Sequence, residues 1–240
     1  VARASLLELF PHGFEEVDGE GWIELAVYAG AEGEQSFRAL FGDVVSAPVE
    51  AGWESRWRAF HRPARAGGLW IGPPWEEPPP SEPTVVVDPG RAFGTGAHPT
   101  TRACIELLAS LERGSLLDAG CGSGVVAVAA ARLGFAPVLA LDVDPVAVEV
   151  ARETARLNGV TIGARVADVV RDELPPADVL VANIELGVVD VLLARRPSSR
   201  AVVTSGYLAG EVPRAAGWEV AEGVELDGWG AHVLRPARGY

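Results

Sequence analysis

The sequence predicts an α/β fold in which a small α+β domain precedes a seven-stranded, mostly parallel sheet. Three observations carry this: apolar strand-like runs alternate with helical runs, the first large strand–helix junction is a glycine turn, and successive apolar runs end on acidic or amide side chains.

The elements follow in order. Residues 6–10 and 22–28 read as β runs, the region around 35–41 as a helix, and 44–49 as a further apolar run. So short a module is marginal alone, and either packs on the larger domain or works as a recognition module. Trp53, Trp57 and Phe60 recur at i, i+4 and i+7, a packing stripe on one helical face. Gly72-Pro73-Pro74-Trp75 and the acidic, proline-rich run to Pro83 cannot form a central strand and read as an interdomain linker. The expected domains are therefore 1–50, a linker region over 51–83, and 84–240.

Residues 85–87 form a strand leading into a glycine-rich loop with threonine hydroxyls, the composition of a lid over a ligand. Pro99 pre-sets the first turn of an amphipathic helix carrying Cys104, Leu107, Leu108 and Leu111. An apolar run then closes on Asp118, followed by Gly120, Gly122 and Gly124, an alanine-rich helix and a second apolar run closing on Asp142. Asp144-Pro145 opens the next helix with a carboxylate cap, and Asn158-Gly159 ends it. Further strands are read at 162–166, 178–184, 200–205, 218–222 and 229–234. Asp118, Gly120, Asp142, Asp168 and Asn183 then all fall at the carboxyl edge of a parallel sheet, where such folds bind ligands.

The chemistry follows from the glycine turn. Asp142 lies 22 positions after Gly120, close to the offset of about 20 at which a Rossmann-like βαβ unit places a carboxylate on ribose hydroxyls. The spacing is G-x-G-x-G, whereas a dinucleotide fold wants G-x-G-x-x-G for its pyrophosphate. It resembles the loop of S-adenosylmethionine-dependent methyltransferases, whose cofactor has no phosphate.

Composition narrows the partners. The formal charge is −13, all 20 basic residues are arginine, and 48% of residues are hydrophobic. An acidic surface disfavours nucleic acid. No apolar run approaches the roughly 18 residues of a membrane span, and the N-terminal apolar run is too short for a signal peptide, so a cytoplasmic protein is expected. Cys104, Cys121 and the four scattered histidines make neither a disulfide framework nor a metal-ligand spacing. Cys121 reads as a small loop residue rather than a nucleophile.

The whole pattern resembles the ribosomal protein L11 methyltransferase (PrmA) family. The resemblance rests on Asp88-Pro89-Gly90-x-Ala92-Phe93-Gly94-Thr95-Gly96-x-His98-x-Thr100-Thr101, Asp118-x-Gly120-Cys121-Gly122-Ser123-Gly124, Asp142-Val143-Asp144-Pro145, Asn158-Gly159 and Ala182-Asn183-Ile184. It runs from about Trp53 to the C-terminus; residues 1–47 and the short run between Asn183 and Val203 depart from the family pattern. It implies a class I methyltransferase domain behind a small domain that recognises a ribosomal protein, with S-adenosyl-L-methionine as cofactor and lysine or N-terminal amines as acceptors. Thr101, Gly120, Asp142 and Asn183 are the cofactor contacts it implies, with Phe93, Gly94 and Thr95 lining the lid.

Beside these, Gly122 lets the backbone approach the cofactor, Asp168 is a candidate partner for the adenine amino group, and Asp118 either touches the cofactor or orients the loop through its amides. Asn183 is the candidate catalytic residue, orienting an amine lone pair, with Glu185 and His98 as fallback bases. The chain is expected to act as a monomer without metal, membrane or direct nucleic-acid contact. Two alternatives stay open: a class I methyltransferase acting on a small molecule or RNA, and a NAD-dependent oxidoreductase or non-catalytic nucleotide-binding protein.

Overall fold

The structure is a computed structural model that describes residues 15–19, 22–26, 31–42, 44–46, 61–89 and 94–237. It divides into two compact units, 1–57 and 58–240.

In the first unit β1 (Glu15–Gly19) and β2 (Trp22–Ala26) form an antiparallel hairpin in which Gly19 faces Trp22, followed by α1 (Ala31–Phe41). Glu34 and Arg38 pair at 3.0 Å across one turn of α1, and the Phe37 and Phe41 rings lie 4.9 Å apart. The helix is longer than the expected 35–41. Residues 44–46 carry no regular structure where an apolar β run was expected. The expected strand at 6–10 and the aromatic stripe from Trp53 to Phe60 lie outside the described residues.

The second unit opens on a small sheet of β3 (Ala64–Ala66), β4 (Leu69–Gly72) and β5 (Thr84–Val86), ordered β3-β4-β5. The run of prolines read as an interdomain linker lies inside this unit instead. It joins β4 to β5, two paired parallel strands, as an irregular connection whose turns need no ladder hydrogen bond.

The large sheet contains β6 (Leu116–Ala119), β7 (Val138–Asp142), β8 (Gly163–Val166), β9 (Val179–Asn183), β10 (Ala201–Leu208), β11 (Trp218–Leu226) and β12 (Trp229–Pro236). Its order is β11-β12-β10-β9-β6-β7-β8. The pairs among β8, β7, β6, β9 and β10 are parallel, and β12 joins β10 and β11 antiparallel. This is the seven-stranded Rossmann-like arrangement expected.

Side chains alternate between two cores. Leu116, Val179, Val181 and Val203 face α2 (Pro99–Ser110), α3 (Val125–Arg132) and α4 (Pro145–Leu157) through Ile105, Leu108, Val126 and Ala151. Leu117, Leu141, Leu180 and Val202 face α5 (Leu186–Ala194) through Val189, Leu192 and Leu193. A sheet covered on both faces explains why the central strands read as unbroken apolar runs. β6 is the switch point: the sheet grows from it toward β7 on one side and β9 on the other, which opens a crevice past its carboxyl end.

Candidate active site

At that crevice the chain turns sharply. Gly120, Gly122 and Gly124 all take positive φ, +81°, +50° and +76°, a region that L side chains rarely adopt. The turn is tied to the neighbouring strand: the N–H groups of Gly120 and Cys121 both donate to the Leu141 carbonyl, at 2.8 and 2.9 Å. A Cβ on Gly124 would meet Ala151 at 2.7 Å, so glycine here lets the start of α3 press against α4.

Asp142 ends β7. Its Oδ2 accepts the Gly122 N–H at 2.9 Å and its Oδ1 the Asp144 N–H at 3.0 Å, so one carboxylate holds the glycine turn to the start of α4. Asp144 caps α4 by accepting the Val146 N–H at 2.8 Å, with Pro145 in the first turn, as its sequence predicts.

Asp118 lies beneath the turn, 2% exposed. α3 begins at Gly124 without a side-chain cap; the Asp118 carboxylate takes that part from the strand below by accepting the Ala127 N–H. Its Oδ2 has no hydrogen-bond partner. Burial pushes its pKa up to about 7, against the pull of the Ala127 amide and with a further push from Asp142.

Asn183 ends β9 and its Nδ2 donates to the Thr101 hydroxyl of α2 at 3.4 Å; Thr101 itself is 1% exposed. The next residue, Ile184, is wedged. A Cβ on Gly120 would lie 2.5 Å from its Cγ2, and one on Gly206 would lie 2.4 Å from its carbonyl oxygen. Asp168, two residues past β8, is bound up with its own turn: Oδ1 accepts the Val170 and Arg171 N–H groups at 2.9 and 3.2 Å, and Oδ2 lies 3.5 Å from Arg171. Arg195 braces the same loop by donating to the carbonyls of Val170 and Asp172.

The segment expected to act as a lid meets the glycine turn at Gly94. The buried Ser123 hydroxyl donates to the Gly94 carbonyl at 2.5 Å. Thr95 is half-buried beside it, and Gly96 sits where a Cβ would strike Ile71 at 2.3 Å. Phe93 lies outside the described residues. His98 caps α2, its Nδ1 2.8 Å from the Thr100 hydroxyl. Its ring packs edge-on to Trp229 at 5.0 Å, and burial lowers its pKa. Glu185 begins α5 as its cap residue without a side-chain cap bond.

The structure thus gathers Thr101, Asp118, Gly120, Gly122, Asp142 and Asn183 around one crevice and places Asp168 at the same edge. Burial raises the pKa of both thiols, Cys104 and Cys121, which leaves neither an activated nucleophile. Ser123, Gly206, Arg195 and Trp229 were missed in the sequence. Only Ser123, inside the glycine motif, carried a local signal. A cleft of about 730 Å³ lined by Ser115, Asp178 and Arg200 lies at the opposite, amino edge of the sheet, away from all of these residues. Among the described residues no helix is long and apolar enough to cross a membrane.

Comparison with known proteins gives one answer. The family model described as ribosomal protein L11 methyltransferase (PrmA) matches residues 26–212, so the likeness begins well ahead of the expected Trp53. A ribosomal protein L11 methyltransferase from Symbiobacterium thermophilum is 42% identical over 196 residues, covering 75% of this chain and 64% of its own length. One from Deinococcus radiodurans is 35% identical over 239 residues, covering 87% of this chain and 86% of its own. The crystal structure of a ribosomal protein L11 methylase from Lactobacillus delbrueckii subsp. bulgaricus superposes with a TM-score of 0.64 at 26% identity, over 71% of this chain and 96% of that one. The chain therefore spans just under two thirds of the first relative and most of the second.

Proposed function

The chain belongs to the ribosomal protein L11 methyltransferase family, and from that premise we propose that it transfers methyl groups from S-adenosyl-L-methionine to amines of ribosomal protein L11, on lysine side chains or the N-terminus. The observation that carries this reading is the crevice where Asn183, Asp142 and the glycine turn converge, with the Asn183 amide tied to Thr101. The first unit, 1–57, is the candidate recognition module for the protein substrate.

The residues present fit the cofactor. Gly120 and Gly122 both take positive φ, which favours glycine, so the turn presents main chain without side chains at the end of β6. Asp142 is the group to take the ribose hydroxyls. Asp168 is the candidate for the adenine amino group, Thr101 contributes a hydroxyl, and Gly94 and Thr95, joined to the glycine turn through Ser123, are the candidate cover. When bound, the cofactor supplies an electrophilic methyl group on a sulfonium.

The remaining work falls to the chain. A lysine amine has a reference pKa near 10.4 and reacts only when neutral, and desolvation of the amine on docking favours that form. The Asn183 carbonyl oxygen, held by the bond its own Nδ2 makes to Thr101, accepts a hydrogen bond from the amine and aims the lone pair. Positioning of this kind supplies much of the acceleration, and no dedicated base is required.

The test is a methyl-transfer assay on purified ribosomal protein L11, read by mass spectrometry, with calorimetric titration of the cofactor in parallel. Asn183→Ala is expected to bind cofactor and lose turnover, and Asp142→Ala to lose cofactor affinity. Undiminished turnover by Asn183→Ala, or methyl label appearing only in RNA, overturns the reading.

A further inference from the structure

The strongest unexplained group is the Asp118 carboxylate. It is buried to 2%, one oxygen caps α3 at Ala127, and the other, Oδ2, has no partner. An orphaned buried carboxylate oxygen is costly and seldom kept without a use. The groups that face it from the surrounding elements are Asp142 at the end of β7, the Cys104 thiol of α2, the Cys121 thiol of the glycine turn and the Ala127 amide of α3; the flanking strand β9 presents Val181 beside it. None of these carries positive charge, and one is a second carboxylate.

We propose, resting on the cofactor reading above, that Asp118 is a specificity-determining residue: a buried counter-charge that favours the cationic methyl donor over its demethylated product, whose sulfur is neutral. Donor and product share the same adenosine and amino-acid ends, so hydrogen bonds to those ends cannot separate them. The one chemical difference on the sulfur is a unit of charge, and a carboxylate under the glycine turn, shielded from water, is placed to feel it.

A proton reports the discrimination. In the empty site Asp118 holds its proton up to about pH 7. A cation seated on the turn favours the ionised form, so donor binding expels that proton to solvent, and product binding leaves it in place. Donor affinity therefore rises with pH up to about 7 and then levels off, by at most about tenfold per pH unit. Groups common to donor and product cancel in the ratio of their affinities. Regeneration of the free enzyme benefits, because the spent product has lost the attraction that held the donor.

The experiment is isothermal titration of the purified chain with S-adenosylmethionine and with S-adenosylhomocysteine between pH 5.5 and 8, each in two buffers of different ionisation enthalpy. Expected are release of a large part of one proton with the donor below pH 7, little with the product, and a donor-to-product affinity ratio that climbs about tenfold across the range. Asp118→Asn is expected to flatten the donor-to-product affinity ratio across this pH range. A pH-independent ratio in the parent, or equal proton release by both ligands, overturns the proposal even if the variant fails to fold, and leaves the cofactor reading standing. Absence of binding by either ligand at any pH overturns both.

Discussion

The side-chain amide of Asn158 closes on both backbone polar groups of Val86: Oδ1 accepts the Val86 N–H and Nδ2 donates to the Val86 carbonyl, each at 2.7 Å, across 72 positions of sequence. Nδ2 also donates to the Thr154 carbonyl at 2.8 Å, and the residue is 6% exposed. The end of α4 thus stands in for a sheet partner of β5, the strand that leads into the lid. Asn158→Ala is expected to cost about 2 to 3 kcal/mol, because it removes three hydrogen bonds and leaves partly buried backbone groups of Val86 and Thr154 without this partner. Asn158→Asp should cost more, since it sets carboxylate oxygen against two carbonyls. Urea denaturation of the three proteins checks both the loss and its order.

Gly206 and Gly210 both have positive φ, +102° and +83°, but only Gly206 is crowded: its Cβ would meet the backbone of Ile184, while Gly210 has nothing within 4 Å. Gly210→Ala should cost about 1 kcal/mol of conformational strain. Gly206→Ala should cost about 3 to 5 kcal/mol, since backbone cannot step aside. If thermal melts place the two variants together, the wedge around Ile184 has no energetic content.

Thr101→Val keeps shape and burial but removes the acceptor for Asn183 Nδ2. The expected result is a fall in turnover of about ten- to a hundredfold from a misaimed amide. Stability should change little and Thr101→Ser should recover most of the rate. Steady-state kinetics on the protein substrate beside a melting curve separates this from a folding defect.

Asp118 also sets a pH dependence of stability in the absence of ligand. Burial pushes its pKa in the folded state up to about 7, above the ordinary aspartate value of about 3.9, so the folded state holds a proton that the unfolded chain gives up. That contribution is complete below pH 4 and is lost as pH rises to about 7, with a slope approaching 1.4 kcal/mol per unit. Asp118→Asn should therefore gain on the parent between pH 4 and 7 and hold a constant lead above. Denaturant midpoints at pH 4.5, 6 and 7.5 measure it.

Much of this was legible in the chain because it was written locally. The central strands announced themselves by unbroken apolar runs, and Asp144-Pro145 by its capping chemistry. β1 escaped because Glu-Glu-Val-Asp-Gly has neither alternation nor an apolar run. β3 and β4 escaped because they are three and four residues long and run into prolines, so the whole stretch looked like a connector. In the site, Asn158 was read as a helix end and its long-range bond to Val86 had no sequence signal. The need for glycine at 206 likewise arises from Ile184, a neighbour brought in by folding alone.

Asp142 accepts one backbone N–H on each oxygen, from Gly122 and Asp144. A carboxylate oxygen has two lone pairs, so each retains a single vacancy, both now fixed in direction by the main chain. Two adjacent hydroxyls can fill both vacancies at once, whereas a sugar lacking either hydroxyl leaves one anionic lone pair without that partner. If Asp142 takes the ribose as proposed, the scaffold that shapes the turn also selects for intact ribonucleosides, and deoxy analogues are expected to bind more weakly though they fit the same space.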